Sequence, residues 1–183
     1  TENFKTVAYS YLGPKVTYGI YKEGTIGAAK RDLENTSNVL NDFLKEKYNG
    51  EAYVSLSKAL MTRASAVIPI FPLYAALLYK VMKKKGIHEG TIEQKQRLLK
   101  DMMYGGKPEF DSQRRLRPDN WEMRPDVQSE VEALWDQITP ENFKELSDYA
   151  GAREEFMQLN GFDFDNIDYS ADIDLEELAK LKP

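Results

Sequence analysis

The chain has 183 residues, enough for one domain with a sizeable core or for part of a larger one. It holds no cysteine and one histidine, which excludes disulfides, thiolate nucleophiles and cysteine-based metal sites and leaves His88 too few partners for zinc. A net charge of -5 argues against a polyanion-binding surface, so no nucleic-acid partner is expected.

Phe4 to Leu12 alternates apolar and aromatic residues and stops at Gly13-Pro14, the pattern of a strand closed by a turn. Pro14 opens a short helix or turn carrying Tyr18 and Tyr21. A long helix is expected from Thr25, as N-cap, to about Tyr48, with Leu33, Leu40, Phe43 and Leu44 on its buried side. Asn49-Gly50 ends it, and Ala52 to Ser57 reads as a second strand. Strand, long helix, strand is a crossover unit, which predicts parallel pairing and a right-handed connection. Ligands of such sheets bind beyond the carboxyl ends of the strands, here after Tyr11 and after Ser57, where Lys58 to Pro69 begins.

The uncharged stretch Ala64 to Tyr79 falls short of the roughly 20 residues that cross a bilayer, and it contains Pro69 and Pro72. It reads as a buried helix, with no membrane span. No signal peptide is visible, which says nothing where an N-terminal part is missing; a cytoplasmic location is expected. Thr91-x-x-Gln94 is a capping-box pattern for a helix to about Tyr104, followed by a loop over Gly105 to Pro108 and a small hairpin from Phe110 to Leu116. Val127, Val131, Leu134 and Ile138 keep helical spacing, Thr139-Pro140 reads as N-cap and N1 of the next helix, and Gly161 suits a C-terminal cap. Asp163 to Glu177 reads as an acidic, poorly packed tail. Lys83 to Lys85 and Arg114-Arg115 read as solvated charges, and His88-Glu89 as a structural turn at an exposed junction.

Tyr21 and Lys30 form a Tyr-x8-Lys pattern, which read alone fits an ordinary surface tyrosine and a helix lysine as well as a proton-delivering pair. A phenol titrates near 10, and a nearby ammonium lowers that value so the phenol can deliver a proton near neutrality. Residues nine apart on one straight helix differ by about 900°, which puts them on opposite faces. The two side chains can converge only across a break, and Gly24 and Gly27 offer one.

Four segments occur in one order: Tyr9-Ser-Tyr11-Leu-Gly-Pro14, Ile20-Tyr-Lys-Glu-Gly-Thr-Ile-Gly-Ala-Ala-Lys30, Thr62-Arg-Ala-Ser-Ala-Val-Ile-Pro69 and His88-Glu-Gly-Thr-Ile-Glu-Gln94. With Asp119-Asn-Trp121, Val127 to Trp135 and Asn160-Gly-Phe162, they resemble the NADH-dependent trans-2-enoyl-CoA reductase and enoyl-[acyl-carrier-protein] reductase family, enlarged relatives of the short-chain dehydrogenases. The resemblance covers nearly the whole chain but only the later part of the family's sequence. No Gly-x-Gly-x-x-Gly follows a strand here. The chain is therefore expected to be the C-terminal half of a longer reductase whose missing N-terminal half is its partner.

The resemblance implies an α/β fold: the C-terminal part of a Rossmann-like parallel sheet followed by a mainly helical substrate-binding and C-terminal region. It divides the chain at 1–60, 61–105 and 106–183. It implies that Tyr21 donates to the enolate oxygen of an enoyl-CoA or enoyl-acyl-carrier-protein thioester and that Lys30 holds the nicotinamide ribose of NADH. It makes Tyr11 a second donor near the thioester, places Thr62 and Ser65 beside the cofactor, and gives Ile68 and Phe71 to the acyl channel. No metal and no flavin are expected, and the whole enzyme is expected to be a monomer. Two alternatives stand beside this reading: a carbonyl reductase using the same tyrosine and lysine, and a non-catalytic fragment or binding module.

Overall fold

The computed structural model describes residues 2–181. Strands β1 (Lys5–Ser10) and β2 (Glu51–Leu56) pair in parallel, with Lys5 opposite Glu51 and Ser10 opposite Leu56. A 3₁₀ turn (Lys15–Thr17) and the short helix α1 (Tyr18–Tyr21) lead into the crossover helix α2 (Thr25–Tyr48). That is the expected strand–helix–strand unit. Gly24, in extended conformation, is the N-cap of α2, so Thr25 is its first helical residue and not its cap. Asn49 ends α2 in the left-handed region, as expected.

The buried side of α2 differs from the expected one. Leu44 is buried, but Leu40 and Phe43 are 40% and 48% exposed, and the other buried positions are Gly27, Ser37 and Asn41. Small and polar residues suit this face because α2 lies close to the backbone it covers. The Asn41 side-chain oxygen accepts from Ala52 N at 3.3 Å and from Arg114 at 2.6 Å. Arg114-Arg115 is accordingly no solvated pair, since Arg115 is ion-paired to Asp111 and Glu34.

A third strand, β3 (Arg115–Leu116), adds to β2 in parallel, giving the order β1-β2-β3. The expected hairpin is reduced to one antiparallel bridge between Phe110 and Leu116. Fully buried Leu116 closes a small core with Tyr53, Leu98, Met102 and Met103.

Helix α3 (Phe71–Lys84) begins later than the apolar run suggests. Residues before proline are pushed out of the helical region, so Ile68-Pro69 helps keep 63–70 as a chain of turns, and Ile70, at φ +71°, caps the helix that Phe71 and Pro72 open. From Tyr74 to Met82, α3 is buried on nearly all sides by α5 (Pro125–Trp135) and α7 (Tyr149–Leu159). Helix α4 (Thr91–Arg97) runs into a π-helical turn (Leu98–Met103). Its capping box does not form. Gly90 is the N-cap, and the Gln94 amide donates instead to Glu89 Oε1 and Pro118 O. Thr139-Pro140 opens a turn, and α6 (Phe143–Leu146) starts after Asn142. Gly161 follows α7 with φ +88°, and the segment from it to Leu181, including α8 (Leu175–Leu178), is exposed. No helix among the described residues is long and apolar enough to cross a membrane.

Gly27 tests the break between Tyr21 and Lys30. A Cβ there would sit 2.1 Å from the Lys22 carbonyl oxygen and 2.4 Å from its carbon, which is backbone and cannot swing away. Gly27→Ala is expected to destabilise the protein by roughly 1–3 kcal/mol, the usual cost of overpacking. An unchanged unfolding midpoint would show that the Lys22–Gly24 turn yields freely.

Candidate active site

Tyr21 ends α1 and Lys30 lies in the early turns of α2, so the Lys22–Gly24 break lets both face one corner. Lys30 Nζ stands 5.5 Å from the centroid of the Tyr21 ring and donates to Ser10 Oγ at 3.1 Å. Ser10 is the last residue of β1, so the pair sits at the carboxyl edge of the sheet. Burial pushes the Tyr21 phenol up to about 12 and the Lys30 ammonium down to about 8. The expectation that Lys30 would lower Tyr21 is therefore corrected: loss of water around the buried phenol outweighs an ammonium that stands 5.5 Å from the centre of its ring. Tyr21 keeps its proton at neutral pH. Its hydroxyl finds no hydrogen-bond partner among the described residues, and burial alone sets its shift.

Tyr11 and Phe71 complete an aromatic cluster. The Tyr11 and Tyr21 rings meet edge to face at 4.8 Å, and Phe71 packs on them at 5.6 and 6.0 Å. Phe71 is buried and Ile68 half-buried against the same core. Unlike Tyr21, Tyr11 is engaged, donating from its hydroxyl to Glu122 Oε1 at 3.1 Å. Gly13, at φ +66°, makes room for it, since a Cβ there would lie 2.7 Å from that hydroxyl. Thr62 and Ser65 close a turn on each other. Thr62 N donates to Ser65 Oγ at 2.8 Å, and Ser65 Oγ donates to Leu60 O at 2.7 Å.

Sequence reasoning missed Glu122 and Lys58. Glu122 is fully buried, and its Oε1 also accepts from Tyr74 at 2.7 Å while its Oε2 accepts from Ala59 N at 2.7 Å. Burial lifts its carboxyl to about 7. Lys58 is also buried, donates to Glu89 O at 2.6 Å, and lies 4.4 Å from the Tyr79 ring centroid. Glu122 follows Trp121 in a segment without periodicity, so nothing in its neighbours marks it as interior. A second lysine, Lys95, donates to Ser57 Oγ at 2.9 Å on the chain leaving β2.

The exposed junction expected at His88-Glu89 is also corrected. Glu89 is buried and paired with Arg97, and His88 Nε2 meets Glu155 at 2.7 Å. A cavity of about 570 Å³ opens beside His88, lined by Met61, Tyr79, Glu155 and Phe164; Tyr21 and Lys30 do not line it. Among the described residues no three His, Cys, Asp or Glu side chains converge as a metal site.

A parallel crossover unit with an ammonium and a phenol unpartnered among the described residues at its carboxyl edge defines a Rossmann-like α/β protein with a donor-lined ligand edge. The chain belongs to the trans-2-enoyl-CoA reductase family. The model of the trans-2-enoyl-CoA reductase catalytic region matches residues 1–104, and that of the enoyl reductase FAD binding domain matches residues 110–173. The NADH trans-2-enoyl-CoA reductase of Clostridium acetobutylicum is 57% identical over 97% of this chain and 45% of its own length. Enoyl-[acyl-carrier-protein] reductase [NADH] 2 of Photobacterium profundum is 52% identical over 97% of this chain and 44% of its own. The solved Clostridium acetobutylicum trans-2-enoyl-CoA reductase in complex with NAD superposes with a TM-score of 0.92 at 55% identity, covering 100% of this chain and 48% of that one. The chain thus spans about half the length of the curated relatives it matches.

The residues fit the two cofactors of these names unequally. Lys30 has a serine hydroxyl and no carboxylate as its partner, which leaves donors for a ribose hydroxyl. Residues 110–173 do not fit a flavin dinucleotide. The first turn of α5 carries Pro125 and Asp126, and the Gly151 amide of α7 is taken by Asp148. A carboxylate thus stands at each helix start, and the groove beside α7 is lined by Glu154, Asp163 and Asp165, with its Arg153 already ion-paired to Asp163, so a diphosphate would meet negative charge.

Glu122 gives a pH test with a defined sign. Its folded value near 7 lies above the ordinary 4.5, so its contribution to stability is complete below about 4.5 and is lost as pH rises through about 7. The unfolding midpoint is expected to fall over that window, and Glu122→Gln should shrink the fall. Equal slopes in the two proteins would contradict the raised carboxyl.

Proposed function

We propose that the protein containing this chain reduces the trans-2 double bond of enoyl thioesters with NADH. The observation that carries this reading is the Tyr21 hydroxyl, unpartnered among the described residues, on a ring 5.5 Å from Lys30 Nζ at the sheet's carboxyl edge, in a chain of this family. NADH, when bound, supplies the hydride for the β-carbon. Tyr21 stays protonated near neutrality and donates to the thioester oxygen as enolate charge develops there. Lys30 holds the nicotinamide ribose, with Ser10 orienting its ammonium. Thr62 and Ser65 border the nicotinamide through the turn they close, and Ile68 and Phe71 wall the acyl group. Tyr11 is the second donor near the thioester, restrained by Glu122.

The thioester carrier is CoA or acyl carrier protein; relatives with both names align over 97% of the chain. Residues 1–60 form the catalytic part, 61–105 the substrate-pocket part and 106–183 the helical C-terminal region. The whole enzyme acts as a cytoplasmic monomer. A carbonyl reductase would use the same tyrosine and lysine, and comparing crotonyl-CoA with a ketoacyl thioester separates the two activities.

In the full-length protein, Tyr21→Phe should cost about 10²–10³ in kcat, the usual loss for one oxyanion donor, while NADH binding survives. The loss should fall on kcat and kcat/KM alike. A variant keeping more than about a tenth of wild-type turnover would remove Tyr21 as principal donor. Lys30→Ala should weaken NADH binding and turnover together; unchanged KM for NADH and unchanged kcat would reduce Lys30 to a helix residue.

A further inference from the structure

Three donors converge on the Glu122 carboxylate from three parts of the fold. Tyr11 follows β1, Ala59 follows β2, and Tyr74 belongs to α3. An ionised carboxylate only accepts, so it satisfies all three. A protonated one carries an O–H that must itself find an acceptor. Oε2 faces the Ala59 N–H, which cannot accept, so the proton belongs on Oε1, toward the tyrosine oxygens. Tyr74 holds the shorter contact, 2.7 Å against 3.1 Å for Tyr11, and its oxygen already accepts from Gln128 at 3.1 Å. Tyr11 is the partner that yields. Its oxygen then accepts from Glu122, and its own hydrogen is released.

We propose that Glu122 is a positioning residue whose protonation state decides whether Tyr11 serves the site as a second hydrogen-bond donor. Ionised Glu122 holds the Tyr11 hydroxyl, and protonated Glu122 frees it beside Tyr21, whose ring lies 4.8 Å away. The effect on turnover rests on the enoyl reductase reading; the hydrogen-bond switch does not.

The groups facing Glu122 support a transition near neutrality. Lys58, from the connection after β2, favours the ionised form, and Asp119, on Glu122's own segment, opposes it. Tyr11 and Tyr74 stay protonated, raised well above the ordinary phenol, and Tyr79 of α3 is raised as well. Gln128 of α5 is neutral. Burial is the largest influence and sets the carboxyl to about 7.

The test uses the full-length protein, with kcat for crotonyl-CoA measured from about pH 5 to about pH 9. In the wild type, kcat should fall about tenfold as pH rises through about 7, the worth of one ordinary hydrogen bond. Glu122→Gln should lose this inflection and hold the low-pH rate, because its amide donates to Tyr11 while its carbonyl accepts from Ala59. Tyr11→Phe should also lose the inflection but run at the high-pH rate throughout. Tyr74→Phe deprives the ionised carboxylate of a donor and should move the inflection to higher pH. A Glu122→Gln or Tyr11→Phe enzyme that keeps the wild-type inflection overturns the proposal. The Tyr11 ring-carbon resonance, followed by NMR without substrate, should titrate in the wild type and stay flat in Glu122→Gln. A flat wild-type resonance overturns the proposal by itself. A titrating resonance in a protein that reduces no enoyl thioester upholds the switch and defeats the reductase reading.

Discussion

Parallel pairing of β1 with β2 across the α2 crossover is the constraint on which the rest of the structure depends. It sets Ser10 beside Leu56, so the chain after each strand leaves from the same edge. Tyr11 and Tyr21 then arrive from one strand end and Ala59, Thr62 and Phe71 from the other. Without that register the Tyr11–Tyr21–Phe71 cluster has no common floor, and Glu122 cannot reach both Tyr11 and Ala59. Helix α2 contributes by lying close, with Gly27 against the Lys22 carbonyl and Asn41 bonded to the backbone of β2.

Desolvation dominates the electrostatics of this edge. It raises Tyr21, raises Glu122 and lowers Lys30, in each case favouring the uncharged form. A phenol that keeps its proton serves as a neutral hydrogen-bond donor to a developing oxyanion. Lys30, with a serine as its partner, is free to bind a ligand hydroxyl, whereas Arg97 and Arg115 are committed to carboxylates. The two tyrosines differ in the same sense. Tyr11 is tied to Glu122, while Tyr21 is unpartnered among the described residues.

Periodicity and turn chemistry made much of the scaffold legible. The β1–α2–β2 unit, the Asn49 stop, the helical spacing of Val127 and Val131, the Gly161 terminus and the exposed acidic tail all follow from local pattern. Local pattern misled where a tertiary partner competed. Gln94 turns from its own helix start to Glu89 and Pro118, and Leu40 and Phe43 lie outside because the covered face of α2 needs small side chains.

From sequence alone came the family resemblance, the need for a break between Tyr21 and Lys30, and the edge at which they would meet. The order of the motifs carries the first, and helix geometry and strand order dictate the other two without knowledge of the interior. Only the tertiary structure decided the direction of the Tyr21 shift, the burial of Lys58 and Glu122, the third strand at Arg115–Leu116 and the difference between Tyr11 and Tyr21. Each depends on how much water is removed and which distant groups replace it, and residue order along a chain does not encode that at short range.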